Sequence, residues 1–208
     1  MRRATAALWL ASAALASCSE EPPPRPRLTA ATVPKSDADL VQEQLKKDPN
    51  DAEAWFHLAE ILERASLHER EAEALKKAIE LRPDMGWAHL KLGTTCNRLG
   101  RYEEAVTHFR AAEKLLKRKP TLYNNLAWSY GKLGRNAEEI AALRKAIEIR
   151  PTYATAHFNL GVALLRKGAR REAEQEHRIL LDLDEGAAAA LLKEIERPAV
   201  AAGEGGRR

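Results

Sequence analysis

From Ser36 onward apolar residues recur at three- and four-residue intervals. No stretch alternates apolar with polar residues as a half-buried strand does. Leu40, Val41 and Leu45 fall on one face of a short helix that Ser36-Asp37 can cap and Asp48-Pro49-Asn50-Asp51 breaks. Beyond it the pattern comes in pairs. An apolar-periodic run of roughly 14 residues leads to a turn, and a second run of similar length follows. Gly100, Gly134 and Gly168 mark three of the turns, where the chain needs a left-handed residue; Ser66 stands at the first. Pro83 and Pro151 end two of the second runs, with Lys117 and Glu185 at that place in the others. The pattern predicts an all-α chain built from helix hairpins.

The hairpins repeat every 34 residues. With position 1 at Ala52, Gly86, Pro120 and Ala154, position 7 is Leu58, Leu92, Leu126 and Leu160. Position 8 is Ala59, Gly93, Ala127 and Gly161, and position 27 is Ala78, Ala112, Ala146 and Leu180. Small residues at positions 8, 20 and 27 let helix axes approach, while large ones at 4, 7, 11 and 24 fill the space between. One hairpin cannot bury its own apolar face, so hairpins must stack. The stretch Gly93 to Ala112 carries the pattern most fully, with Gly93, Gly100, Tyr102, Ala105, Phe109 and Ala112 in place. These residues resemble the tetratricopeptide repeat (TPR) family over residues 52–187. The resemblance implies a right-handed α-solenoid of four helix pairs, 52–85, 86–119, 120–153 and 154–187. Capping helices are expected at 36–51 and 188–197. The tail 198–208, with Pro198, Gly203, Gly205 and Gly206, is expected to be disordered.

The copies alternate. Lys77-Ala78-Ile79-Glu80 returns as Lys145-Ala146-Ile147-Glu148, and Ala88-His89 returns as Ala156-His157. Repeats one and three are therefore sisters, as are two and four. Position 20 follows the same rhythm, with Ala105 and Ala173 against Glu71 and Glu139. An unpaired glutamate is costly at a close helix contact. The expectation is that those helices rotate and expose Glu71 and Glu139, leaving the even repeats the tighter ones.

Residues 1–17 have the layout of a secretory signal, with Arg2 and Arg3 ahead of an apolar run from Ala4 to Ala16. That run is short of the ~20 residues a span needs. Leu15-Ala16-Ser17-Cys18 resembles the bacterial lipobox, which implies cleavage before Cys18 and acylation of Cys18, palmitate included. An aspartate after the cysteine often marks inner-membrane retention in bacterial lipoproteins. Ser19 stands there, so the resemblance favours a periplasm-facing anchor in the outer membrane over one in the inner membrane. Residues 18–35 form a proline-rich linker, extended at ~3.1 Å per residue and able to reach about 50 Å.

Composition narrows the chemistry. The chain carries a formal charge of +4, which two arginines of the signal would reduce on cleavage. That balance gives no footprint for nucleic acid. Its two cysteines, Cys18 and Cys96, lie in different contexts and make no disulfide framework. Six histidines share no metal-ligand spacing, and no H-E-x-x-H, G-x-S-x-G, P-loop or G-x-G-x-x-G occurs. His89 and His157, at position 4, read as packed residues with polar tips, and Cys96 at position 11 as buried and inert. No catalytic residue, cofactor or metal site is expected, which makes an enzyme the weakest class.

The family resemblance implies a concave face that holds peptides against first-helix positions 2, 5, 6, 9, 12 and 13. Asn125 and Asn159 stand at position 6, where an amide can bond a peptide backbone of any sequence. His57 and Lys91 replace it in the first two repeats. Position 13 is Arg64, Arg98, Lys132 and Arg166, a basic stripe suited to an acidic segment or terminal carboxylate. Trp87, Trp128 and Phe158 supply aromatic anchors, with Phe56 beside them. The carboxylate clamp of chaperone-binding TPRs is absent, because Phe56 and Glu60 stand where it requires Lys and Asn. The reading is a membrane-anchored adaptor that binds a protein or extended peptide in cell-envelope assembly or recruitment. Self-association into a homo-oligomer through the convex or terminal faces is the alternative, and a hydrolase with an unfamiliar site is the rival class.

Overall fold

The computed structural model describes residues 36–116 and 118–197. The signal, Cys18, the linker and the tail all lie outside the described residues. Ten helices and no strand occur among the described residues: α1 (Asp37–Lys47), α2 (Ala52–Arg64), α3 (His68–Leu81), α4 (Gly86–Arg98), α5 (Tyr102–Leu115), α6 (Pro120–Lys132), α7 (Asn136–Ile149), α8 (Ala154–Arg166), α9 (Arg170–Leu183) and α10 (Glu185–Glu196). The pairs α2–α3, α4–α5, α6–α7 and α8–α9 are the four hairpins, and each second helix packs on the first helix of the next. This is an α-solenoid. None of these helices is long and apolar enough to cross a membrane.

The turns follow the punctuation. Gly100, Gly134 and Gly168 have φ of 74°, 71° and 82°, the left-handed region that closes the first helix of each pair. Ser66 takes the same conformation with φ 57°, so the first turn keeps its geometry without glycine. Position 4 fixes the next junction. Trp55 Nε1 donates to the carbonyl of Pro49 at 2.9 Å. His89 Nε2 lies 3.1 Å from the carbonyl of Pro83, and His157 Nε2 2.8 Å from that of Pro151. An indole and two imidazoles thus tie the start of a first helix to the loop before it. The histidines are buried with polar partners, as the pattern implied.

A continuous core runs from Ala59 to Ala173, with Leu75, Leu92, Phe109, Leu126, Leu143 and Leu164 fully or almost fully buried. Its spacing depends on the small residues. A Cβ on Gly93 would lie 2.7 Å from the Phe109 ring, and one on Gly161 would lie 2.5 Å from Leu191. A second cluster, Leu180, Ala188, Leu191 and Ile195, seats α10 on α8 and α9. That helix starts at Glu185, earlier than the expected 188. Asp184 ends α9 and also caps α10, its carboxylate accepting from the Ala187 amide at 2.9 Å, so one residue replaces a connecting loop. At the other end, Ser36 and Asp39 form a capping box on α1. This helix buries no residue fully, and Leu40 remains half exposed.

Cys96 is fully buried, and burial, with Glu104 as a lesser contributor, pushes its thiol up to about 11. It is inert at neutral pH, as expected from position 11. One expectation fails. Glu71 and Glu139 are only 1% and 5% exposed. The helices have not rotated; partners from the following repeat reach the carboxylates instead. Thr95 Oγ1 donates to Glu71 Oε1 at 2.7 Å, and Arg98 lies 3.9 Å from its other oxygen. Arg166 pairs with Glu139. A position-20 acid in one repeat is thus answered by a position-13 arginine in the next.

Candidate functional site: the face carried by the first helices

Five of the nine residues singled out for binding meet around one cavity of about 430 Å3 between the last two hairpins. Trp128 and Lys132 come from α6, and Phe158, Asn159 and Arg166 from α8. Helical spacing explains the convergence. Trp128 and Lys132 are four apart on α6, so both project from the same side of that helix. Stacking brings the equivalent side of α8 alongside. Glu139 and Leu143 of α7 form the floor, and Gly131 and Val162 complete the wall.

Electrostatics divide this wall. Lys132 Nζ lies 4.5 Å from the centre of the Trp128 ring, a cation–π contact on an indole that is 52% exposed. Burial raises the Glu139 carboxyl above its ordinary range, and the Arg166 charge and hydrogen bond oppose that rise. The Glu139 Oε1 atom takes the Arg166 guanidinium, while Oε2 is buried with no hydrogen-bond partner among the described residues. Asn159 donates to Asn124 Oδ1 at 2.9 Å, and its own carbonyl oxygen accepts no hydrogen bond among the described residues. An acceptor for a peptide N–H is therefore available beside an apolar cavity with two aromatic walls.

The other four residues stand apart. Trp87, also 52% exposed, lines a separate cavity of about 410 Å3 with Phe56, Met85 and Leu116. The Lys119 ammonium sits over its ring at 4.7 Å. Arg64 borders a smaller hollow against Leu40 and Val41 of α1. Asn125 is drawn into an internal network. Its Nδ2 is 3.4 Å from Thr94 Oγ1, and Asn97 Nδ2 donates to its backbone carbonyl at 3.2 Å. Arg98 bonds Glu63 at 3.0 Å. Glu63 also takes Lys91 at 2.6 Å, and that bond is the leading reason its carboxyl lies below the ordinary range.

The basic stripe is consequently not uniform. Arg98 and Arg166 are engaged by Glu71 and Glu139, and only Arg64 and Lys132 lack an ion pair among the described residues. One cation recurs per repeat in the sequence, but Glu63 and Glu71 engage Arg98 and Glu139 engages Arg166, all from the preceding repeat. Glu139 and Gly131 were missed as parts of the site. The signal was the glutamate at position 20, which marks the place where a polar group enters the core. No group of three or more His, Cys, Asp or Glu residues that could hold a metal occurs among the described residues.

Comparison with known proteins agrees with this architecture. A tetratricopeptide repeat model matches residues 38–86 and 72–122, and a second TPR repeat model matches residues 129–168. The peroxisomal targeting signal receptor of Candida albicans is 27% identical over 117 residues, covering 54% of this chain and 20% of the receptor. The Hsp70-Hsp90 organizing protein of Triticum aestivum is 32% identical over 85 residues, covering 41% of this chain and 15% of that protein. The chain thus spans a fifth or less of the length of these curated relatives. Among solved structures, MamA superposes with a TM-score of 0.69 at 24% identity, over 76% of this chain and 99% of MamA. YrrB, titled a TPR protein with an unusual peptide-binding site, gives 0.65 at 22% identity over 77% of this chain and 87% of YrrB. PilW, titled a type IV pilus biogenesis factor, gives 0.64 at 21% identity over 74% of this chain and 73% of PilW. These likenesses carry the fold. With the 34-residue register, the paired helices and repeat models that together match more than half of its length, the chain belongs to the tetratricopeptide repeat family.

Proposed function

We propose that this chain is a membrane-anchored adaptor that captures an extended segment of another protein on its first-helix face. The observation that carries the reading is the cavity beside Asn159. It joins aromatic surface, the half-exposed Trp128 and the partly buried Phe158, to a side-chain carbonyl with no partner among the described residues. Aromatic walls supply apolar burial without regard to the whole sequence of a ligand, and an amide pairs with any peptide unit. The relatives support a binding role by their names: one is a targeting-signal receptor, one organises two chaperones, and YrrB carries a peptide-binding site. The lipobox-like Leu15-Ala16-Ser17-Cys18 supports the anchor, and the linker would hold the solenoid off the bilayer. Several acyl chains make such an anchor durable, since each buried CH2 contributes about 0.8 kcal/mol. Cell-envelope assembly or recruitment, at the outer membrane, is the setting this arrangement suits.

Two substitutions test the two halves separately. Cys18→Ser should abolish palmitate labelling and release the chain from membranes; labelling of the variant at the parental level would end the lipoprotein reading. Asn159→Ala should lower recovery of crosslinked partner in intact cells by about fivefold, by the scale of one lost hydrogen bond. Circular dichroism should show unchanged helicity. Full recovery of the partner would place binding on another surface.

A further inference from the structure

The two position-20 glutamates occupy equivalent places and are satisfied differently. Both oxygens of Glu71 are engaged: Oε1 by Thr95, Oε2 by His68 Nδ1 at 3.1 Å with Arg98 beyond. In the sister copy the counterpart of Thr95 is Ala163, and that of His68 is Asn136. Oε1 of Glu139 keeps its arginine, and Oε2 is left buried without a partner. The space in front of it differs as well. Glu63 and Lys91 close on each other at 2.6 Å in the first copy, while their counterparts are Gly131 and Asn159. Gly131 is there for a reason: a Cβ would stand 2.8 Å from Glu139 Oε1. Where the first copy holds a network of charged side chains, the second holds an open cavity with the Glu139 side chain in its lining, its Oε2 atom sealed from solvent and without a partner among the described residues.

We propose that this cavity is a specificity pocket for a tyrosine side chain presented by the partner segment, with the Glu139 carboxylate turning so that the buried Oε2 accepts the phenol's hydrogen. The proposal rests on the first-helix face being the binding surface. Each part of the chemistry has a cause. A carboxylate oxygen can only accept, so the guest must bring a donor. The donor must be neutral, because Arg166 already neutralises Glu139 and Lys132 stands at the rim, so a second cation would enter against positive charge. The walls are Trp128, Phe158, Val162 and Leu143, which suit an aromatic body and favour offset or edge contacts with its ring. A hydrogen bond from a hydroxyl to a carboxylate is among the stronger kinds, and Oε2, sealed from solvent, has no other partner among the described residues to give up. Asn159 lies where the backbone of the same segment would pass, with its carbonyl oxygen open to an N–H.

The test uses p-cresol, toluene and benzylammonium as probes on the purified chain, followed by the amide NMR shifts of Gly131 and Asn159. p-Cresol should titrate these shifts at concentrations at least about tenfold below toluene, the scale of one hydrogen bond to a charged group. Benzylammonium should be weaker than p-cresol. In Glu139→Gln the amide oxygen stays with Arg166 and a donor replaces Oε2, so the preference for p-cresol over toluene should fall to within about threefold. Val162→Trp, which fills the cavity without touching the carboxylate, should remove binding of both neutral probes. Equal titration by p-cresol and toluene, tighter binding of benzylammonium, or no shift from p-cresol would overturn the pocket. The wider reading stands or falls separately: partner crosslinking that depends on Asn159 would survive failure of all three probes.

Discussion

Single residues in this solenoid are best understood by comparing a position with its copies. Ser66 holds φ at 57° where the other three turns use glycine. A left-handed backbone costs a side chain about 1 kcal/mol or more. Ser66→Gly should therefore raise the unfolding free energy in urea by about 1 kcal/mol, less a little for the freer unfolded chain. An unchanged or lower midpoint would show that the serine makes up the cost elsewhere. Glu63 and Glu139 make a second comparison. Lys91 and Arg98 hold Glu63 below 4.5, so its stabilisation is present above that value and lost as pH falls through its lowered folded value. Burial holds Glu139 above 4.5, so the folded chain retains its proton more tightly than the unfolded chain. Its ionisation costs stability as pH rises from 4.5 through the folded value. Thermal melts should show Glu63→Gln losing stability near neutral pH and converging with the parent in acid. Glu139→Gln should do the reverse, gaining on the parent as pH rises.

At the scale of helices and hairpins, most of the architecture is legible before any coordinates. Gly100, Gly134 and Gly168 fix where first helices end, and the recurrence of Leu and Ala at positions 7, 8 and 27 fixes how pairs stack. Local chemistry sets these features, so they survive in a one-dimensional pattern. The position-20 pairs do not. Glu71 and Glu139 look like exposed residues because much of their compensation comes from the next repeat, from Thr95 and Arg98 for Glu71 and from Arg166 for Glu139, and periodicity within one helix carries no trace of it. The cavity is hidden for a related reason: it exists because Gly131 and Asn159 are small where Glu63 and Lys91 are large, a difference that matters only once α6, α7 and α8 are in contact. Five of the nine candidate residues nevertheless fell on it, since a stripe along first helices survives stacking. Packing of the last helix offers a direct check. Gly161→Ala puts a methyl 2.5 Å from the Leu191 side chain, which must repack and loosen the seat of α10. The variant should lose about 1–3 kcal/mol. Its amide exchange should quicken in α10 and leave α2 and α3 unchanged; uniform quickening would mean the array unfolds as one unit.

For the whole molecule, the two ends of the solenoid present different surfaces to a ligand. In the early repeats the Glu63, Lys91 and Arg98 network fills the first-helix face beside a separate cavity at Trp87, while the last two repeats offer aromatic walls and the open Asn159 carbonyl at one cavity. An extended segment bound there would gain its specificity at the C-terminal half of the array and its orientation from the remaining cations, Arg64 and Lys132. Capture on this face is the central claim, and site-specific photocrosslinking tests it most directly. A benzophenone side chain placed at Trp128 in the intact cell should yield a crosslinked partner, and the same group at Arg144, exposed on the second-helix side, should not. Crosslinks of equal yield from both positions, or from Arg144 alone, would contradict it.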